Sequence, residues 1–255
     1  GDHRDLHSFP TRRSSDLHEG AMYWSGVAHL YNYQFDEAED YFRKVVNKRG
    51  DYAGKADAKW KLAQKIVRAM PGTPAGKKMA LKEKINRADL AVLFAEELKI
   101  GVLFDRMPVQ NTGFQTPGQA TQTANVTVPN DAINHWAETW IKDMIRYGIM
   151  DIEPDGNFYP DDTINRALYA LAVQRLLVVA TRDESIETQY FGEAQSRFSD
   201  VPSSHFAYNA MALCTERGIM QVDMMTRKFN PAGDVTGADA LLIIRELQTS
   251  LRMTF

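Results

Sequence analysis

The chain has 255 residues, and 30 lysines and arginines against 33 aspartates and glutamates leave a net charge of −3. That near-neutral balance lacks the basic excess of a nucleic-acid-binding surface, and the single cysteine, Cys214, excludes an internal disulfide framework and a cysteine-rich zinc site. No apolar run approaches the roughly 20 residues of a membrane span, and "LLVVA" at 176–180 reads only as a helix end.

Residues 1–17, "GDHRDLHSFPTRRSSDL", resemble end to end the in-frame translation of a short-read sequencing adapter. They are expected to be foreign and disordered, and are set aside before the fold is read. Removing them takes three bases (Arg4, Arg12, Arg13) and three acids (Asp2, Asp5, Asp16), so the net charge stands. On this reading the natural N-terminus, with any signal peptide or lipid anchor, lies outside the sequence.

From Ala21 to Val46, "MYWSGVAHLYNY" and "FDEAEDYFRKVV" carry apolar residues at helical spacing, joined at Tyr33, Gln34 and Phe35. Gly26 allows the first helix to approach the second, whose Ala38, Phe42 and Val45 share one face. The pair, 18–50, resembles one tetratricopeptide repeat. Such a unit cannot bury its apolar face alone, so further repeats or a docking neighbour are expected. A third helix, "DAKWKLAQKIVRAM", stops at Pro71-Gly72, and its Trp60 is expected to be buried.

Beyond it, one phrase recurs. "INRADLAVLFAEEL" begins at Ile85, "INRALYALAVQRLL" at Ile164, and a weaker "VTGADALLIIRELQ" at Val235. Residues 106–128, rich in Gln, Thr, Asn, Pro and Gly, read as a linker, as do 184–198. "INHWAETWIKDMIRYGIM" and "SSHFAYNAMALCTERGIM" match each other, each with a Gly-Ile-Met ending. The loops "DIEPDGNFYPDDT" and "KFNPAGDVTGAD" also correspond, so the repeated unit is helix, turn-rich loop, helix.

Together these motifs resemble the S-layer homology domain, a module that usually occurs in threes. The second unit (129–183) carries nearly all the hallmarks and the third (199–255) most; the first (51–105) is degenerate. The resemblance implies an all-α, pseudo-threefold bundle, preceded here by the tetratricopeptide-like hairpin. It also implies an extracytoplasmic place in the cell envelope and a cell-wall partner, either an acidic or pyruvylated glycan or peptidoglycan.

Asn86, Asn165 and Thr236 suit helix N-caps. Asp89 and Asp239 make an imperfect capping box that Leu168 breaks. Capping does not need the arginines. Arg87 and Arg166, beside free N–H groups at a helix start, form a candidate anion site, unless each is tied to a loop carboxylate such as Asp161 or Asp162. Gly237 removes that cation from the third unit. Candidate ligand-binding residues are thus Arg87, Arg166, Asn86, Asn165, Trp136, Asp155 and Gly156. Trp136 and Phe206 are expected to pack in the core, with one edge toward a sugar as the alternative. His135 and His205 are expected to make local loop contacts.

Residues 151–162 also fit a calcium loop, with acids at its positions 1, 3, 5 and 12. Asp in place of the closing Glu, and a third unit almost without ligands, weigh against it, and no metal or cofactor is expected. No nucleophile elbow, zinc-protease or nucleotide-binding motif is present. The expected function is non-catalytic attachment to wall polymer, with a protein partner for the hairpin; the alternative is a helical adaptor with vestigial glycan grooves.

Overall fold

The structure, a computed structural model, describes residues 12–101 and 128–252. Among the described residues all regular structure is helical: nine α-helices and two short 3-10 turns, with no strand. The expected linker falls, apart from residue 128, outside them. Two compact units divide the chain between Met70 and Pro71.

The first unit comprises α1 (Arg12–Tyr31), α2 (Phe35–Lys48) and α3 (Ala53–Ala69). Gly26 permits close contact between α1 and α2, since a Cβ there would lie 2.8 Å from the Phe42 ring. Ala38, Phe42 and Val45 are fully buried at that contact. The buried carboxylate of Glu19 accepts from the Tyr52 amide at 3.2 Å and fixes the turn into α3. Gly50 leaves it room; a Cβ would meet it at 2.0 Å.

Three expectations change here. The backbone from Arg12 to residue 17 is helical, not disordered, because α1 extends to Arg12. The boundary expected after residue 50 lies after 70, because α3 packs along α2. Trp60 is half-buried rather than buried, with its indole N–H enclosed and unpaired.

The second unit contains three helix–loop–helix pairs: α4 (Pro74–Met79) with α5 (Arg87–Glu97), α6 (Glu138–Arg146) with α7 (Arg166–Thr181), and α8 (Tyr208–Glu216) with α9 (Gly237–Arg252). Two leading helices rest on the second helix of the preceding pair, α6 on α5 and α8 on α7, while α4 packs on its own α5 and more lightly on α9. The phrases beginning at Ile85, Ile164 and Val235 meet at the centre, where Ile164 N donates to Ile85 O and Ile85 N to Val235 O, both at 3.0 Å. Isolated antiparallel bridges join Asn86 to Thr163 and Asn165 to Asp234. The pairs follow one another in a ring, as expected.

Gly148 and Gly218, both at φ +69°, end α6 and α8 in the left-handed conformation that glycine favours. The following amides, of Ile149 and Met150 and of Ile219 and Met220, return to the Met144 and Cys214 carbonyls and turn apolar side chains inward. Burial pushes the Cys214 thiol up to about 12, leaving it a neutral packing group.

His135-Trp136-Ala137 and His205-Phe206-Ala207 form turns before the helices rather than their first residues. Each histidine Nδ1 accepts from the alanine amide two residues on, at 3.2 and 3.1 Å, the local contact expected of it. Trp136 and Phe206 are not core residues; at 53% and 69% exposure they stand on turns that point outward.

The stretch 184–198 is not a loose linker either. Ile186, Tyr190 and Phe198 are buried along it. The buried Asn209 amide ties it down, accepting from Tyr190 N at 2.8 Å and donating to Ile186 O and Gln174 Oε1.

Gly237 is the most crowded of the described glycines. Its amide donates to Lys82 O at 2.9 Å, and a Cβ there would lie 1.7 Å from the Met79 carbonyl oxygen. The neighbour is backbone and cannot rotate away. Gly237→Ala is therefore expected to destabilise the bundle by about 3 kcal/mol, at the upper end of overpacking costs, and Gly237→Arg by more. Urea denaturation followed by circular dichroism measures both.

Candidate functional site

The recurring phrase opens each second helix with a side-chain cap. Asn86 and Asp89 form a reciprocal capping box, Asn165 Oδ1 accepts from Leu168 N at 2.9 Å, and Thr236 pairs with Asp239. The two asparagines proposed as ligand contacts thus spend their side-chain oxygens on their own helices. Asp89, almost fully buried, also takes the Lys82 ammonium at 2.6 Å.

The next amides leave their own unit. Arg87 N donates to Asp162 O and Ala88 N to Pro160 O, both at 2.9 Å; Arg166 N and Ala167 N do the same to Gly233 O and Pro231 O. The free N–H groups expected at these helix starts are consumed, because amides this enclosed must find acceptors. Any anion must be held by side chains instead.

The guanidinium groups continue the same seam. Arg87 Nε donates to Phe158 O at 2.7 Å and Nη2 to Asp151 O at 2.8 Å; Arg166 Nε donates to Phe229 O at 2.8 Å and Nη2 to Gln221 O at 2.6 Å. Each lies over the ring of that phenylalanine, 4.6 and 4.7 Å from the centroid, in cation–π contact. Their principal partners are loop carbonyls, not the carboxylates of Asp161 or Asp162.

Two residues not singled out in the sequence hold those loops from below. The Asp131 carboxylate accepts from Phe158 N and Tyr159 N at 2.6–3.0 Å, and Asp200 from Phe229 N and Asn230 N at 2.8–2.9 Å. Their recurrence four and five residues before the matched histidines was the available signal. Tyr159 and Asn230, at φ +55° and +57°, let each loop bend over its buried phenylalanine.

Two open clefts result. The one beside Arg87 has a volume of about 460 Å³ and that beside Arg166 about 670 Å³. Burial pulls both guanidinium groups below their ordinary value; for Arg87, Glu153 most strongly opposes the shift, and for Arg166, Asp239 and Asp200 do. Arginine nevertheless stays cationic at neutral pH. With its side chain 13% exposed, Arg87 offers its cleft part of a cation rather than a full fork.

The remaining candidates are scattered. Asp155 stands on the rim of the Arg87 cleft, bound to the Asn157 amide and the Tyr159 hydroxyl. Gly156, at φ +86°, turns the same loop. Trp136 lies near His135 and Trp140, outside the lining of either cleft. Trp140 donates to Glu96 Oε1 across to α5.

The acids of 151–162 diverge instead of converging on one ion: Asp151 pairs with Arg175, Glu153 faces Arg87, and Asp155 serves its own turn. Among the described residues no group of three or more His, Cys, Asp or Glu side chains is placed to hold a metal. No described helix is long and apolar enough to cross a membrane.

Two ring units, a loop clamped by an arginine from the preceding unit, and an aspartate beneath each loop now define the arrangement. Residues 130–167 and 197–241 match the S-layer homology domain. This domain is a non-catalytic binding module that attaches proteins to cell-wall polymer at the cell surface. The two matches contain Arg166, both supporting aspartates and both clamped loops, whereas the α4–α5 pair with Arg87 lies outside them. No curated protein matches the chain.

Removing the Arg166 guanidinium would leave the Phe229 and Gln221 carbonyls without their donors, at about 1–3 kcal/mol each where they are enclosed. Arg166→Ala is expected to lower stability by at least about 2 kcal/mol, and Arg166→Lys to recover only part, since one ammonium lacks the planar fork that spans both carbonyls. Urea titration of the three proteins measures the order.

Proposed function

We propose that this protein is a non-catalytic component of the cell envelope that holds an acidic wall glycan in the arginine-lined clefts of its S-layer homology domain. The extracytoplasmic face of the envelope is its place of action. The observation that carries the reading is the cleft beside Arg166, where a partly exposed guanidinium with no ion-pair partner among the described residues meets solvent next to Lys228. A carboxylate on a sugar can approach the remaining Nη1 donors while the other donors stay on the loop. The cation is thus already positioned before ligand arrives, so little ordering cost falls on binding.

The first compact unit adds a surface for a protein partner. Its α1–α2 contact has the small-residue approach and the buried Ala38, Phe42 and Val45 of a tetratricopeptide-like hairpin, and Trp24 and Tyr31 stand exposed on α1. That exposed aromatic pair also favours a second reading, a protein adaptor whose glycan clefts are vestigial.

Sedimentation with purified sacculi, with and without attached acidic polymer, separates the two. Under the first reading the protein pellets with polymer-bearing sacculi. Lys228→Glu, which reverses charge in the cleft without touching the loop clamp, should reduce the pelleted fraction at least about fivefold with an unchanged melting temperature. Under the adaptor reading the unaltered protein stays in the supernatant.

A further inference from the structure

The two arginine clefts share a frame but not an electrostatic field. Asp151 and Gln221 correspond, since each gives its carbonyl to the arginine Nη2. Glu153 and Asp223 correspond as well: each amide closes the loop, onto Asn157 O at 2.8 Å and Lys228 O at 3.0 Å. Asp162 and Gly233 correspond as acceptors from the arginine amides.

Laid over this frame, the charges differ. Glu153 reaches toward Arg87, with Oε1 3.6 Å from Nη1. Asp223 is one methylene shorter, and its carboxylate turns back into its own loop, accepting from Met225 N at 3.0 Å and Thr226 N at 2.7 Å. It forms no ion pair with Arg166, on which Asp239 and Asp200 act instead. Asn157 gives way to Lys228, and Asp162 to Gly233. The Arg87 cleft therefore holds Arg87 with Glu153, Asp155 and Asp162, and the adjoining hollow adds Arg175, which is paired with Asp151. The Arg166 cleft holds Arg166 and Lys228 with Asp200, both of whose oxygens accept loop amides, and Asp223, whose Oδ1 accepts two. The supporting aspartates occur under both loops, but Asp200 also acts on Arg166, whereas the carboxylates acting on Arg87 are Glu153, Asp162 and Asp151.

Resting on the wall-anchoring reading above, we propose that only the Arg166 cleft accepts a carboxylate-bearing sugar, and that Glu153 is the specificity determinant that keeps the Arg87 cleft closed to anions. An incoming carboxylate beside Arg87 must displace Glu153 and then sit near Asp155 and Asp162. Several like charges a few ångströms apart at the protein surface disfavour that state by at least about tenfold in affinity. With Gly237 at the third position, the chain would carry one acidic-glycan site rather than two or three.

The test is a nuclear magnetic resonance titration of the arginine Nε–H signals with N-acetylmuramic acid, a sugar bearing one carboxylate. Arg87→Lys and Arg166→Lys supply the assignments. The unaltered protein should show a saturable shift at Arg166 and none at Arg87. Glu153→Gln should bring a second, saturable Arg87 shift over the concentration range that saturates Arg166, with Arg166 unchanged. Glu153 is 48% exposed and touches Arg87 only at 3.6 Å, so this variant should keep the fold. Equal shifts at both arginines in the unaltered protein, or an Arg87 signal still silent in Glu153→Gln, would overturn the proposal while leaving the wall-anchoring reading in place. Silence at both arginines in the unaltered protein would overturn both.

Discussion

Helix-start amides and an arginine fork from one unit meet the loop carbonyls of the next, and that exchange holds the ring together. A helix begins with donors that its own backbone cannot satisfy. Here Arg87 N, Ala88 N, Arg166 N and Ala167 N take carbonyls from the following loop, while the side-chain cap covers the next amide within the helix. The guanidinium adds two more bonds from the same residue and covers the phenylalanine that anchors the loop. Each unit therefore completes its neighbour, and neither matched unit has its full set of polar partners alone.

The third position obeys the same constraint with different parts. Lys82 O takes the place of Asp162 O and Gly233 O as acceptor, but the loop of the α4–α5 pair lies too close for any side chain at 237, where a Cβ would meet Met79 O. Gly237 keeps the backbone bond, to Lys82 O, and gives up the fork. Loss of the arginine is thus a packing consequence of the altered α4–α5 pair, in which the short α4 and a Lys82–Asp89 ion pair replace the aspartate-supported aromatic loop. This accounts for the missing cation in the last phrase more directly than loss of a ligand does.

The structural role and the proposed binding role can fall on the same arginine because the fork has five donors. Two hold the loop and fix the plane of the group; the rest of Nη1 and Nη2 remain at the cleft. A cation held in this way is already oriented, and its neighbours decide whether an anion can use it. Wall attachment by such a module requires no chemistry at the site, in keeping with caps, carbonyls and packed aromatics as its main components.

Much of the ring was legible from repetition. Equivalent phrases imply equivalent environments, so Asn86, Asn165 and Thr236 could be read as caps, Gly148 and Gly218 as helix ends, and Gly26 as a close approach, because each depends on backbone geometry within a few residues. Distant packing was not legible in that way. Trp136 and Phe206 look like core residues until the turn that carries them faces outward, and 184–198 reads as a polar linker until Asn209 binds its backbone. Asp131 and Asp200 show their use only when the loops 27 to 30 residues away lie on top of them.

By itself the sequence determined the helical class, the repeated unit and the identity of the two cations, since periodicity, capping and repetition are local properties. Only the tertiary structure decided where those cations point, which carboxylates stand against them and why the third position admits no side chain. Those outcomes depend on which carbonyl a neighbouring unit presents within about 3 Å, a distance that no single stretch of chain encodes.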